Sequence, residues 1–276
     1  MLGLIQGFTE FIPVSSTAHL ILAPEIFPIA QPRAEIRHTY DTIIQIGTLI
    51  PVLIYFWREW AALLAAAARI VRKKKIGADA DERMLKYLVL GSIPAAVIGF
   101  LVEDYVELLA QPEKFRGAYL CIGGALIVVG LVMWWAESIG RKSRTIEHVR
   151  LPDAWLVGVA QAMALFPGVS RSGATITAGL FAGFTREAAA RFSFLLMTPI
   201  MLAATGYKTL KLLTGEAQLT SGEWSSILLA TVVAAISGYA AIAFLLGYLR
   251  TRSLSVFAIY RIGLGAFAIG LYFMQR

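Results

Sequence analysis

Charged residues are scarce in this sequence, and cysteine is almost absent. Asp, Glu, Lys and Arg make up only 16% of the 276 residues, whereas 58% are hydrophobic. This composition excludes an ordinary soluble chain, a disordered chain, collagen and a coiled coil. The single cysteine, Cys121, excludes an intramolecular disulfide. Since one span needs about 20 mostly apolar residues, the composition indicates a membrane protein with several spans.

The basic residues lie in loops between apolar runs. A formal net charge of +7 could suit nucleic acid, but a binding stripe would distribute differently, so no nucleic acid partner is expected. Most of the loop cations fall in residues 58–86, 141–150, 186–191 and 250–252, which the positive-inside rule assigns to the cytoplasm. The basic run at 72–75 is interpreted as a topology determinant. Residues 1–27 lack a basic start, so no cleavable signal peptide is expected.

Six apolar segments are predicted to be spanning helices: 42–57, 87–102, 117–136, 192–207, 226–249 and 256–274. Residues 1–27 and 154–184 are apolar as well, but Pro, Gly and hydroxyl residues interrupt them in the middle. Such residues break a helix, and backbone that leaves the helix within a membrane has to be buried in protein or line a cavity. The sequence therefore predicts two broken helical segments.

The chain also resembles itself in three blocks that keep the same order. QGFTEFIPVSS, beginning at Gln6, aligns with QAMALFPGVSR, beginning at Gln161, and residues 95–100 and 118–131 match 234–239 and 258–271. We expect a single membrane domain, 1–276, built from a first repeat unit at 1–136 and a second at 154–276. Each unit holds three full spans, so the second enters the membrane upside down, and the site lies at the midplane between the units.

Polar residues inside these apolar segments mark a functional site, because burying them unpaired costs several kcal/mol. Pro13 and the pair Pro167-Gly168 are each followed by hydroxyl residues suited to cap a new helix. Two helix N-termini that face each other form an anion pocket, and the forked cation of Arg171 suits phosphate oxygens. The predicted ligand is a phosphate or diphosphate, and the candidate residues around it are Ser15, Thr17, Ser170, Ser172, Gly173 and Thr175.

Ser16 and His19 share one helix face, near enough for the imidazole to accept the hydroxyl proton. Glu10 is interpreted either as a divalent-cation ligand, with Gln6 on the same face and Asp41 completing the site, or as the partner of His19. The alternatives stay open: a structural ion pair between Glu10 and Arg171, a packing role for His19, and an interfacial position for Asp41. Arg261 is, after Arg171, the second basic residue inside an apolar segment. We interpret it as snorkelling to a membrane surface in preference to a direct substrate role.

Three motifs carry a family resemblance: QGFTEFIPVSSTAHL at 6–20, PGVSRSGATI at 167–176 and FAIYR at 257–261. They resemble the bacitracin-resistance family of undecaprenyl-diphosphate phosphatases, and the likeness covers essentially the whole chain. It implies an all-α, multi-pass enzyme of the bacterial plasma membrane with inverted repeats and re-entrant helices. Such an enzyme removes the terminal phosphate of undecaprenyl diphosphate, which recycles the carrier lipid of peptidoglycan synthesis and confers bacitracin resistance.

The resemblance also implies roles for individual residues. It places catalysis on Ser16, His19, Glu10 and Arg171, with a divalent cation, Mg or Ca, and no organic cofactor. Many members have Glu where this chain has Gln6, which weakens a direct metal role there, and Asp41 stands where relatives may show Glu. Family mechanisms differ on whether serine or water attacks phosphorus.

A transporter is the rival class, because secondary carriers also use inverted repeats, broken helices and charges at the midplane. A flippase for a lipid phosphate is its sharpest form, although transport does not require a Ser-x-x-His pair. The expected partners are a polyprenyl diphosphate and the lipid bilayer, with a homodimer left open.

Overall fold

The computed structural model describes residues 1–29, 34–112, 114, 115, 117–213 and 220–274, and these residues form helices joined by short connections. Some side chains within α3, α5 and α9 lie outside the description. The described helices are α1 Leu2–Phe11, α2 Ser16–Ile26, α3 Ala34–Tyr55, α4 Trp57–Lys73, α5 Ala80–Leu109, α6 Ala118–Ile139, α7 Leu151–Met163, α8 Arg171–Phe181, α9 Arg186–Leu213, α10 Ser221–Leu249 and α11 Ser255–Met274, with a 3-10 turn at Ile146–His148.

Five helices in the described part of the chain are long and apolar enough to cross a membrane: Ala80–Val102, Ala118–Ile139, Arg186–Tyr207, Ser221–Leu249 and Ser255–Met274. Large apolar side chains face outward along them, as on α10, where Leu228, Leu229, Val232 and Ile236 are exposed. A run of exposed apolar side chains on one helix is typical of contact with lipid. The described part of the chain is helical, as the family resemblance implies, and it has several apolar spans, as the composition predicts.

The span predicted at 42–57 is interrupted before its end. Helix α3 stops at Tyr55, and the helix axis then turns by 84° between Ile43–Tyr55 and Trp57–Lys73. These two segments are long and apolar enough to cross a membrane only when they are counted together as one bent span. Helix α4 is amphipathic and carries Arg58 and Glu59 in its first turn. A helix of this kind suits a position along the membrane surface better than a crossing.

Both predicted breaks are present. Residues 12–15 separate α1 from α2, and residues 164–170 separate α7 from α8. The second helix of each pair follows a serine with positive φ, 77° at Ser15 and 71° at Ser170. Each serine hydroxyl accepts a hydrogen bond from the backbone N–H three residues on, at 3.4 Å from Ala18 and 3.1 Å from Gly173. The capping hydroxyls are therefore what allows a helix to begin inside the molecule.

The first helix of each broken pair packs closely against a long helix from the other half of the chain, α1 against α10 and α7 against α5. Glycine permits this approach: a Cβ on Gly7 would lie 2.5 Å from the carbonyl oxygen of Ala234, and one on Gly158 would lie 2.2 Å from that of Gly91. Small residues at such contacts let helix backbones approach within a membrane. The two halves are therefore interlocked.

Ion pairs fix the connections at one end of the molecule. Arg144 donates from both terminal nitrogens to Asp153, at 3.0 and 2.5 Å. This bidentate pairing raises the pKa of the Arg144 guanidinium above its ordinary value. Nearby, Arg186 and Lys142 both pair with the buried carboxylate of Glu137. The loop between α6 and α7 is thereby held against the turn between α8 and α9.

Candidate active site

The two breaks lie side by side, and Arg261 of α11 joins them. Its Nη1 donates to the carbonyl oxygen of Pro13 at 3.2 Å, and its Nη2 donates to the carbonyls of Gly168 and Val169, both at 2.8 Å. Broken helices leave such carbonyls without an intrahelical partner, so a fully buried guanidinium has acceptors available. The side chain is 0% exposed, and the interpretation of Arg261 as a snorkelling residue is therefore wrong.

The first turn of α8 makes a second link to α1. The hydroxyl of Ser172 is fully buried and donates to the carbonyl of Glu10 at 3.1 Å, with the carbonyl of Ile12 at 3.3 Å. The Glu10 carbonyl lies in the last turn of α1, where intrahelical donors run out, and the Ile12 carbonyl also accepts from the Val14 N–H at 2.7 Å. The second segment therefore completes the end of the first.

The carboxylate of Glu10 lies at the centre of the polar residues. Its Oε2 accepts hydrogen bonds from Ser16 Oγ at 2.7 Å and from Gln6 Nε2 at 3.1 Å, and Arg171 Nη2 lies 3.9 Å from Oε1. Glu10 is 6% exposed, whereas the Arg171 side chain keeps 25% of its surface. At 3.9 Å the ion pair is loose, so Arg171 retains donors for an anion. The structure thus brings together four of the predicted site residues.

His19 is engaged elsewhere. Its Nδ1 lies 2.7 Å from the carbonyl of Ser15, and its Nε2 lies 2.7 Å from the hydroxyl of Tyr260, whose ring is stacked on the imidazole at 5.6 Å. A carbonyl only accepts, so Nδ1 carries the proton, and in the neutral ring Nε2 accepts from tyrosine. Ser16 thus donates to Glu10 and not, as its spacing predicts, to His19.

Tyr260 is a residue that the sequence analysis missed, and Arg261 is one that it assigned to the wrong place. Both belong to the FAIYR motif, and their partners lie more than 90 residues away in the chain. The available signal was an arginine inside an otherwise apolar run, next to a tyrosine. Buried cations in such runs usually face a protein interior or a cavity, and that reading would have placed Arg261 correctly.

The remaining candidates divide into internal and accessible groups. Thr175 is fully buried, and its hydroxyl lies 2.7 Å from the carbonyl of Arg171 and 2.5 Å from Ser193 Oγ. Gly173 is buried beneath Arg261, because a Cβ there would lie 2.9 Å from Nη1. Thr17, by contrast, is exposed in the first turn of α2. Ser170, Ser172 and Thr175 are therefore buried behind the helix tips, while Ser16, Thr17 and Arg171 keep exposed surface.

The oxygen ligands available for a divalent cation are few. Within the described residues, no three His, Cys, Asp or Glu side chains cluster, and the side chain of Asp41 lies outside the description. Glu10 and the side-chain oxygen of Gln6 would supply two protein oxygens. Mg²⁺ is commonly held by one or two carboxylates together with substrate phosphates. The residues present fit that kind of site, with most ligands coming from the substrate and water.

Comparison with known proteins shows the family. The family model described as bacitracin resistance protein BacA matches residues 1–267. The chain is 46% identical to an undecaprenyl-diphosphatase from an Anaeromyxobacter species, over 96% of this chain and 84% of that protein. It is 41% identical to an undecaprenyl-diphosphatase from Moorella thermoacetica, over 100% of this chain and 97% of the other. The chain therefore belongs to the bacitracin resistance protein BacA family.

Proposed function

We propose that this protein hydrolyses undecaprenyl diphosphate to undecaprenyl phosphate and inorganic phosphate. Family membership over nearly the whole chain supports the assignment, as do similar proteins named undecaprenyl-diphosphatase. The observation that carries it is the convergence of Ser16, Glu10 and Arg171 at two adjacent helix N-termini. The reaction recycles the carrier lipid for cell wall synthesis. It also depletes the diphosphate that bacitracin sequesters, which would confer resistance.

The diphosphate would bind at the tips of α2 and α8. Each tip presents backbone N–H groups and the positive end of a helix dipole, which favour an anion. Arg171 stands at the start of α8 and adds a forked donor for phosphate oxygens. The polyprenyl tail would lie in the bilayer between the helices. The pocket would therefore hold the charged head of the lipid while its tail stays in hydrocarbon.

Ser16 is the proposed nucleophile. As its Oγ bonds to the terminal phosphorus, its proton moves to Glu10 Oε2, 2.7 Å away. The bond from that phosphorus to the bridging oxygen breaks, and undecaprenyl phosphate leaves with the electron pair. Water then hydrolyses the phosphoserine to release phosphate. The hydrogen bonds thus favour Glu10 as the base for Ser16, and they leave His19, held by Tyr260, to act on the water or the leaving oxygen.

A divalent cation, when bound at Glu10 and Gln6, would neutralise charge on the diphosphate and make phosphorus more electrophilic. Arg171 performs a similar neutralisation from the other segment. The carboxylate of Glu10 would otherwise repel the substrate, so a cation on one side and the arginine on the other make binding favourable. A requirement for Mg or Ca follows.

We further propose that the fold is an inverted duplication in the plasma membrane. It would have six spans, with α1–α2 and α7–α8 as re-entrant segments. The equivalent serine caps at Ser15 and Ser170 support this proposal, as does the reciprocal packing of α1 on α10 and of α7 on α5.

Phosphate release by the detergent-solubilised protein tests the assignment. We expect the parent chain to release phosphate from a polyprenyl diphosphate when Mg²⁺ or Ca²⁺ is present, and Ser16→Ala and Arg171→Ala to lose that activity. Ser225→Ala and Arg252→Gln, at exposed positions, serve as matched controls that keep it. Protein that binds the lipid yet releases no phosphate would contradict the enzyme and favour a flippase, since detergent abolishes any transmembrane gradient.

A further inference from the structure

A cavity of about 440 Å³ lies at the far end of α8 from the proposed active site. Its walls are the end of α6, the loop that follows it and the turn after α8. Arg171 begins α8 and Phe181 ends it, so about 15 Å of helix separates the two sites. The volume is within the range of about 300–1,000 Å³ that small-molecule sites occupy.

The cavity is positively charged. Arg141, Arg144 and Arg150 line it, and no carboxylate does. Arg144 is neutralised by Asp153, but within the described residues neither Arg141 nor Arg150 forms an ion pair. Two guanidinium groups without a counter-ion around one cavity would attract a phosphate group, which their planar forks match.

The walls are held in place before any ligand arrives. Arg144 donates to the carbonyl of Ala182 at 2.7 Å, and its backbone N–H donates to the carbonyl of Gly183 at 3.0 Å. Thr185 returns a backbone hydrogen bond to Arg144 at 2.8 Å. These bonds hold the arginine loop against the turn after α8, so little ordering would oppose binding.

One rim of the cavity is apolar and exposed. Ile139 and Phe181 line it and are exposed, and the Phe181 ring lies 5.3 Å from the ring of Trp135. Trp134 and Trp155 are exposed nearby in the chain. Tryptophan is enriched where membrane meets water, so this rim lies at the depth of lipid headgroups. A cationic cavity with an apolar rim suits an amphiphile better than a soluble anion.

We propose that this cavity binds the headgroup of an anionic phospholipid of the phosphatidylglycerol class. The phosphate lies between Arg141 and Arg150, and an acyl chain runs along Ile139 and Phe181 into the bilayer. The loop belongs to the side of the molecule that the basic residues assign to the cytoplasm. The ligand is therefore a lipid of that leaflet, bound apart from the diphosphate substrate.

Native mass spectrometry of the detergent-solubilised chain tests this proposal. With phosphatidylglycerol and phosphatidylcholine at equal concentration, we expect a bound phosphatidylglycerol that survives mild activation and no equivalent phosphatidylcholine. We expect each arginine to contribute about fivefold to the affinity, so Arg141→Gln with Arg150→Gln should weaken binding about 25-fold. The control pair Lys75→Gln and Arg252→Gln removes two exposed cations elsewhere and retains it. Phosphate release by the double variant stays at the parent level.

Several outcomes would overturn the proposal. Equal retention of phosphatidylcholine removes the need for an anionic headgroup, and an equal loss in the control pair reduces the effect to overall charge. Displacement of the lipid by millimolar inorganic phosphate assigns the cavity to a free anion instead. If the double variant does not fold, the single variant Arg141→Gln tests the site. The proposal predicts that it binds the lipid about fivefold more weakly, and unchanged binding refutes the site.

Discussion

Replacing Arg261 by lysine separates the charge of this residue from its geometry. The substitution keeps one positive charge but removes the fork that donates to Pro13, Gly168 and Val169 at 3.2, 2.8 and 2.8 Å. Lysine has a shorter side chain that ends in a single ammonium group, so it cannot donate to all three carbonyls. At least one buried carbonyl then loses its donor.

The magnitude follows from that lost bond. A hydrogen bond to a charged group contributes about 1.5–3 kcal/mol, which lowers the melting temperature by about 3–10 °C in a chain of this size. If the bond aligns Ser16 and Arg171 for reaction, the same energy lowers kcat/KM for phosphate release about 10- to 100-fold. Arg261 touches neither Glu10 nor Ser16 through any described hydrogen bond, so this loss reports positioning.

Phosphate release and thermal unfolding of the same detergent-solubilised preparations measure both effects. Arg252→Lys, at an exposed position after α10, is the matched control and should change neither quantity. A melting temperature and kcat/KM that both match the parent would refute the argument that Arg261 braces the two breaks. Lower stability with unchanged kcat/KM would limit its role to folding.

Three further predictions concern the site and the helix contacts. Glu10→Gln keeps the shape of the side chain but removes a basic oxygen, so kcat should fall about 10²- to 10⁴-fold with little change in melting temperature. A fall in kcat of less than about threefold would exclude Glu10 as the base. Tyr260→Phe keeps the stacked ring and removes one hydrogen bond to His19, so kcat should fall about 2- to 10-fold. A kcat at the parent level would show that the tyrosine hydroxyl has no role in the reaction. Gly158→Ala would place a Cβ 2.2 Å from a carbonyl oxygen of α5 and should destabilise the protein by about 1–3 kcal/mol in thermal unfolding. The control Gly263→Ala adds its Cβ in open space and should not destabilise the protein. Equal melting temperatures for the two variants would contradict the close packing of α7 on α5.

Local signals predicted the broken helices well. Pro13 and the Pro167-Gly168 pair stop a helix, and a capping serine starts the next one, so both the stop and the start can be read within a few residues of sequence. The same residues also predicted that the polar side chains cluster at the breaks. These features depend on residues that are neighbours in the chain.

Contacts that depend on the fold were harder to predict. Spacing placed Ser16 beside His19, and both do lie on α2, but the break at residues 12–15 brings Glu10 of α1 within 2.7 Å of the Ser16 hydroxyl. The acceptors of Arg261 lie 92, 93 and 248 residues away, so no local pattern could reveal them. The turn between α3 and α4 was missed because both sides of it are apolar enough to read as one span.

The brace formed by Arg261 has a consequence for biosynthesis. Helix α11 follows every other described element in the chain, yet its guanidinium completes the pocket that α1, α2, α7 and α8 begin. A nascent chain that has inserted only α1–α10 has both serine caps but lacks the guanidinium that joins the two breaks. The brace thus forms only after α11 has inserted, and a chain that ends before residue 255 is expected to leave the two breaks unjoined.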